Sequence, residues 1–220
     1  LSGRPIRSPH HTASSVSLVG GGATPTPGEI TLAHRGVLFL DEFPEFNRSV
    51  LEVLRQPLEE GKVTIARAKG ALTFPAKFIL LAAQNPCPCG YYGDPEKQCT
   101  CLVGARERYR QKISGPMLDR IDMHISVPRQ PYTELKNTKG AESSDQVRER
   151  VERGREIQYK RFGKTKTNSE MNVKDIVRFC QLDEASDSLL KNASLQHGFS
   201  GRTIHRVCKL ARTIADLDSS

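Results

Sequence analysis

The sequence predicts an α/β fold: a partial core built on a parallel sheet with β-hairpin insertions, followed by an all-α domain at the carboxyl end. Three observations predict it. Two apolar runs, Val37-Leu-Phe-Leu40 and Phe78-Ile-Leu-Leu-Ala-Ala83, are continuous rather than alternating, the mark of strands buried on both faces of a parallel sheet. Each run ends in polar residues, Asp41-Glu42 and Gln84-Asn85, at the edge where open α/β sheets bind ligands. From residue 145 onward the apolar residues recur with helical period instead.

Composition sets the class. The chain has 220 residues, 26% of them charged, and enough apolar content to bury a core. Its formal net charge of +8 favours a polyanionic partner, of which nucleic acid is the usual one. No apolar run approaches the roughly 18 residues of a spanning helix, and residues 1–5 carry no signal-peptide core. The expected compartment is the cytoplasm, with no membrane partner.

Taken in order, Ser8-Pro9 reads as an N-cap and first helical position, with His10 and His11 in the first turn of a helix. Adjacent histidines face different sides of a helix, so packing or a ligand-facing role is expected of them rather than metal. Residues 19–28 are rich in Gly and Pro and are not expected to form a regular element. They are not a phosphate loop either, since the pattern G-x-x-x-x-G-K-[ST] occurs nowhere in the chain. Residues 29–34 read as a short helix or turn.

Gly36-Val-Leu-Phe-Leu-Asp-Glu-Phe43 has the shape of a Walker B segment. In such a segment the first acid, Asp41, holds Mg²⁺ through water and the second, Glu42, polarises the water that attacks a nucleoside triphosphate. A buried strand ending in a solvated turn is the alternative. Beyond it Asn47 caps a helix whose apolar face is Val50, Leu51, Leu54 and Leu58 and which Gly61 ends. Residues 63–74 alternate around Lys69-Gly70, giving a β-hairpin with Arg67 and Lys69 at a basic tip. Such tips are commonly only solvated; in a ring-shaped motor the same tip would meet nucleic-acid phosphates.

Asn85, at the end of the second run, sits beside Asp41 and Glu42 if the two strands are parallel neighbours, where it can hold the attacking water. Cys87, Cys89, Cys99 and Cys101 then form two C-x-C pairs around a Gly- and Pro-rich turn. Four thiols so spaced can supply a tetrahedral set for a structural Zn²⁺; reduced free thiols and two disulfides are the rival readings. Cys180 and Cys208 lie on apolar helix faces and read as core residues.

Residues 106–112 form a basic stretch of helical propensity, and residues 114–127 give a turn leading into an alternating strand. Arg120 stands between Asp119 and Asp122, which are expected to restrain its guanidinium. The domain organisation expected is a core over residues 1–128, a polar linker over 129–144 and a helical domain over 145–220. The helices expected there cover residues 145–162, with Val147, Val151 and Ile157 buried, then 173–180, 183–197 and 200–217. Arg202 falls in the first turn of the last helix, where a cation opposes the dipole and makes sense if an anion visits.

Four ordered motifs carry a resemblance over essentially the whole chain: the segment 36–43, Ala83-Gln-Asn-Pro86, Ser114-Gly-Pro-Met-Leu-Asp-Arg-Ile-Asp122 and Gly198-Phe-Ser-Gly-Arg-Thr203. Together with the Arg-Pro-x-Arg-Ser-Pro-His-His start, they resemble the Mg-chelatase-like branch of the AAA+ ATPases, in its bacterial competence-protein type. The resemblance implies a partial AAA+ P-loop NTPase core and a helical lid. It implies Walker B at Asp41 and Glu42, sensor 1 at Asn85, an arginine finger acting on a neighbouring subunit at Arg120, and sensor 2 at Arg202. It also implies ATP and Mg²⁺ as cofactors, a hexameric ring, and two elements directed at its pore: an insert over residues 20–27 and the hairpin around 67–70. The activity implied is ATP-driven DNA remodelling, translocation or branch migration. Rival readings are a chelatase subunit that drives metal insertion into a porphyrin, and a zinc-stabilised DNA-binding module without enzymatic activity. The family's phosphate loop would precede Arg4. Without its Lys and Ser/Thr the 220 residues are expected to bind ATP weakly or not at all, to be inactive alone, and to cover exposed sheet surface by dimerising.

Overall fold

The structure is a computed structural model that describes residues 3–22, 25–67, 70–130, 142–163 and 166–219. The chain divides into two compact units, residues 1–129 and 130–220.

In the first unit the elements run β1 (Ile6–Arg7), α1 (Ser15–Val19), β2 (Gly20–Gly21), β3 (Thr26–Pro27), α2 (Glu29–Leu32) and β4 (Val37–Leu40). A 3-10 turn at Phe43–Glu45 leads to α3 (Arg48–Glu52), α4 (Arg55–Glu60), β5 (Lys62–Arg67), β6 (Gly70–Pro75), β7 (Ile79–Ala82), α5 (Val103–Arg110) and α6 (Gly115–Leu118). The sheet is the parallel one expected, in the order β1-β4-β7, with Leu40 paired to Ala82 at its carboxyl edge. One face carries the core. Leu38 and Leu40 are fully buried among Leu18, Ile30, Leu51 and Leu54, and Val63 and Ile65 of the hairpin close against the same cluster.

The other face departs from the two-sided burial read from the apolar runs: Ile6, Ile79 and Leu81 are 71%, 58% and 55% exposed. The helices and the hairpin pack on one side, so a continuous apolar run is here half covered rather than wholly enclosed.

Other expectations are corrected by local chemistry. No helix begins at Ser8; residues 8–14 are irregular, and Ser14 caps α1 by accepting from the Ser17 amide at 3.1 Å. The Gly-rich stretch does form a regular element, a two-pair antiparallel ladder of β2 with β3. Gly20 has φ +97, and a Cβ there would stand 2.2 Å from the Thr26 carbonyl oxygen, so only glycine lets the strands meet. The single helix expected over residues 47–60 is two. Asn47 caps α3 as expected, but Pro57 has no amide proton to return to the Val53 carbonyl, and the helix breaks at Val53-Leu54 before α4 resumes. Gly61, at φ +65, closes α4. The alternating strand expected within residues 114–127 is absent: residues 121–127 have no regular structure, and Met123, Ile125 and Val127 are 57%, 78% and 82% exposed.

In the second unit α7 (Ser144–Phe162), a 3-10 turn at Asn168–Glu170, α8 (Val173–Phe179), α9 (Glu184–His197) and α10 (Gly201–Leu217) reproduce the four expected helices. Ser143, Asn172, Asp183 and Ser200 cap them by accepting backbone amide protons. Met171, Ile176 and Cys208 form the small core, with Cys180 packed against it, as expected of both cysteines. The buried face of α7 is a correction. Val147 and Val151 are exposed and Ile157 only half-buried, while Gly154 and Gln158 face inward. Leu217 comes to 3.0 Å of where a Cβ on Gly154 would lie, and Gln158 Oε1 accepts from the Asn168 amide at 3.1 Å. Packing by a glycine contact and a polar pair overrides the valine stripe. Among the described residues no helix is long and apolar enough to cross a membrane.

Candidate nucleotide site and cysteine cage

The carboxyl edge of the sheet collects the acids and the asparagine. Ala83 donates its amide to the Leu40 carbonyl at 3.0 Å, and Phe43 donates to the Ala83 carbonyl at 2.9 Å, so the two chains stay zipped just past the strands. Asp41-Glu42 and Asn85 therefore leave neighbouring parallel strands at the same edge, all three exposed. Asp41 Oδ1 accepts from the Glu42 amide at 2.9 Å. Glu42 sits at φ 50, ψ 45, a left-handed conformation that a residue with a side chain adopts only under constraint. The constraint is the 3-10 turn that follows, with Pro44 at its start.

Sequence reasoning missed the group that meets Glu42. His11 Nδ1 lies 3.0 Å from Glu42 Oε2, and its ring packs edge-on to Phe46 with centroids 6.4 Å apart. An open depression beside this pair is lined by His11, Ser14, Ser15, Glu45, Asn47 and Ser49. The irregular path of residues 8–14 delivers the imidazole, so an expectation built on helical faces could not find it; the two histidines after β1 were the available signal.

Tyr109 is the second such group. It is 8% exposed on α5, with the backbone of Asn85 near its hydroxyl. Burial first, then the negative charges of Glu45, Cys87 and Glu42, push its pKa up. One aromatic residue inside a run of seven otherwise polar residues, 106–112, is the signal that this helix must bury a face there.

Arg120 is held by groups that its flanking acids do not announce. Its guanidinium ion-pairs with Glu59 on α4 and donates to the Pro116 carbonyl, while Nε is buried without a hydrogen-bond partner. The short α6 turns the arginine back over α4, which local spacing does not reveal. Arg202 is exposed in the first turn of α10, in the second unit, beside an open depression lined by Asn172, Val173, His205, Arg206 and Lys209. The β5-β6 hairpin forms, its ladder running from Lys62 with Pro75 to Arg67 with Gly70. Lys69 and the side chain of Arg67 lie outside the described residues.

The four clustered cysteines come together as their spacing suggests, with all four Sγ atoms within 4.8 Å of one another. Cys87 Sγ is 3.4 Å from Cys89 Sγ and 3.7 Å from Cys99 Sγ, and Cys89 to Cys99 is 3.6 Å. None is in a disulfide. A Zn²⁺ bonded to four thiolates at about 2.3 Å sets the edges of its tetrahedron near 3.8 Å, so the cage has the size for the ion. Backbone hydrogen bonding, from Tyr91 first, lowers the Cys89 pKa to about 5. Desolvation first, then a hydrogen bond with Cys89, pushes Cys101 to about 12. Arg106 brings a guanidinium nitrogen to 4.0 Å of Cys99 Sγ and stacks on Tyr92 with 4.6 Å to the ring centroid.

Comparison with known proteins bears on the whole chain. Residues 1–135 match the family model described as magnesium chelatase, subunit ChlI, and residues 141–220 match that of the ChlI C-terminal region. The competence protein ComM of Haemophilus influenzae is 49% identical over 215 residues, which cover 97% of this chain and 42% of that protein. The uncharacterised protein YifB of Escherichia coli K12 is 45% identical over 218 residues, covering 99% of this chain and 42% of that protein. An uncharacterised protein of Mycobacterium bovis is 39% identical over 216 residues, with 97% and 42% covered. The chain thus spans 42% of the length of each of these relatives.

Proposed function

The chain belongs to the magnesium chelatase ChlI family, and from that membership we propose that the whole protein is an ATP-hydrolysing AAA+ motor acting on DNA as a hexameric ring. The observation that carries the reading is the parallel pairing of β4 with β7, by which Asp41, Glu42 and Asn85 leave the sheet at one edge. That donor set suits Mg²⁺ with ATP: carboxylates at a sheet's carboxyl edge and an amide within reach of a water. Mg²⁺ would neutralise phosphate charge, with Asp41 as its holder through water. Glu42 takes the proton of the attacking water, and Asn85 orients that water. Arg120 reaches the nucleotide of the neighbouring subunit, and Arg202 binds phosphate from the helical domain. The pattern G-x-x-x-x-G-K-[ST] is not among these 220 residues, so this reading requires a phosphate loop from the rest of the whole protein. The four thiols are assigned to a structural zinc.

DNA as the polymer is supported by the net charge of +8 and by the charges of Arg67 and Lys69 in the hairpin. The name of the Haemophilus relative, a competence protein, agrees with it. The family's name favours a second reading, a subunit that drives metal insertion into a porphyrin. One experiment separates the two. In the whole protein, Glu42→Gln should lower ATP hydrolysis by a factor of about 10² to 10⁴ while nucleotide binding persists. DNA should stimulate hydrolysis by the wild type. Hydrolysis indifferent to DNA removes the DNA motor, and hydrolysis untouched by Glu42→Gln removes the catalytic assignment.

A further inference from the structure

The segment between β7 and α5, residues 83–102, contains neither helix nor strand. Twenty residues without regular structure are unusual in a compact domain, and ordering each costs about 1–2 kcal/mol of backbone entropy. Its internal backbone hydrogen bonds are local turns, Gly90 to the Cys87 carbonyl at 3.0 Å and Asp94 to the Tyr91 carbonyl at 3.2 Å. Something else holds it. The thiol cage is placed to do so: Cys87 follows Asn85 by two residues and is fully buried, and Cys101 precedes α5 by two. A cation gripping all four sulfurs would clamp the sheet edge to the start of α5. Arg106, on the first turn of that helix, adds a cation against Cys99 on the outside of the cage.

From α5 the connection reaches the nucleotide edge. Tyr109 is buried one helical turn beyond Arg106 with the Asn85 backbone near its hydroxyl, and Cys87, itself one of the four cage thiols, follows Asn85 by only two residues.

We propose that Cys87, Cys89, Cys99 and Cys101 hold one Zn²⁺, and that this metal, by clamping residues 87–101 to α5, fixes Tyr109 and through it the backbone of Asn85. Tyr109 is thus a positioning residue, and the metal is remote from the chemistry. The consequence for hydrolysis rests on the reading of Asn85 as the residue that orients the attacking water; the clamp itself does not.

The test uses the whole protein, with zinc content, Co²⁺ substitution, amide hydrogen exchange at residues 83–89, nucleotide affinity and turnover measured together. About one Zn per chain and a tetrathiolate Co²⁺ spectrum are expected, both lost in Cys99→Ser/Cys101→Ser and kept in Cys180→Ser. Loss of the metal should speed exchange at Asn85 by about tenfold or more, since local opening then needs no ligand to be released. Turnover should fall at least about tenfold while nucleotide affinity stays within about twofold, the signature of lost positioning. Tyr109→Phe should keep the metal and reproduce both the faster exchange and the lower turnover. Zinc well below one per chain with four reactive thiols overturns the metal site. Full zinc with exchange at Asn85 unchanged on its removal overturns the clamp. A clamp that behaves as described while Asn85→Ala hydrolyses normally leaves the clamp standing and overturns the catalytic role of Asn85.

Discussion

The imidazole of His11 meets the carboxylate of Glu42, Nδ1 to Oε2 at 3.0 Å, across 31 positions of sequence. Glu42 has a left-handed backbone, and this contact gives its half-exposed carboxylate a partner. If Glu42 is the base, His11 positions it. His11→Ala should lower turnover of the whole protein by about ten- to a hundredfold with little change in nucleotide affinity. His11→Gln, which can still donate to the carboxylate, should retain most of it. Equal losses in both variants, or a change confined to affinity, would remove His11 from this role.

Arg120 is kept in place by Glu59 and the Pro116 carbonyl, with side-chain exposure of 15%. A guanidinium tied within its own chain yet assigned to a neighbour's nucleotide should show its partner by complementation. Arg120→Ala and Glu42→Gln proteins, each inactive alone, should regain hydrolysis when mixed, because a ring interface then pairs an intact acid with an intact arginine. Failure to regain any activity in mixed rings would place Arg120 in its own subunit's site or outside catalysis altogether. Glu59→Gln should weaken turnover without abolishing it, since the arginine loses its tether and keeps its charge.

The parts legible in the sequence are those fixed by local rules. Ser200, Asp183, Asn47 and Gly61 mark helix ends by hydrogen bonds and backbone freedom that depend on a few neighbours. The β4-β7 edge was legible because a strand's end determines where its next two residues emerge. Contacts made across the fold were not. Nothing near Arg120 announces Glu59, 61 positions away, and nothing near Glu42 announces His11. The break at Val53-Leu54 was legible in principle, since Pro57 removes the amide that would bridge it. The stripe Val147, Val151 and Ile157 misled because period alone says which residues share a face, not which face the unit packs.

The hairpin offers a test that depends on charge and not on detailed geometry. If Arg67 and Lys69 meet DNA phosphates, Lys69→Glu should weaken DNA binding of the whole protein at low salt. Lys69→Ala should reduce the slope of log affinity against log salt by about one unit for each phosphate no longer neutralised. The weakening should be similar for unrelated DNA sequences, because phosphates carry no base information. Unchanged slope would mean that the tip is only solvated.

The second unit carries a buried ion pair whose pH behaviour follows from its surroundings. Asp216 is fully buried; Arg161 donates to both of its oxygens at 2.6 and 2.7 Å, and Asn168 Nδ2 and Arg212 Nε add bonds at 2.7 and 3.0 Å. Desolvation, the largest influence, pushes its pKa up, but the bonds from Arg161 and Asn168 and the two positive charges prevail and lower it. A carboxyl with a folded-state pKa below its unfolded value, about 3.9, contributes stability that is fully present above that value. That contribution is lost as pH falls through the lower, folded-state pKa. Thermal or denaturant unfolding of the helical unit should therefore show stability falling below about pH 4, and Asp216→Asn should flatten that dependence. Asp216→Ala should cost about 3–5 kcal/mol at neutral pH, because it strands the 11%-exposed Arg161 without a counter-charge. Arg161→Met should cost less than that, since Arg212 and Asn168 remain on the carboxylate. An acid limb that persists undiminished in Asp216→Asn would assign it to other carboxylates, with Asp175, also lowered by its bond from Lys166, the first to examine.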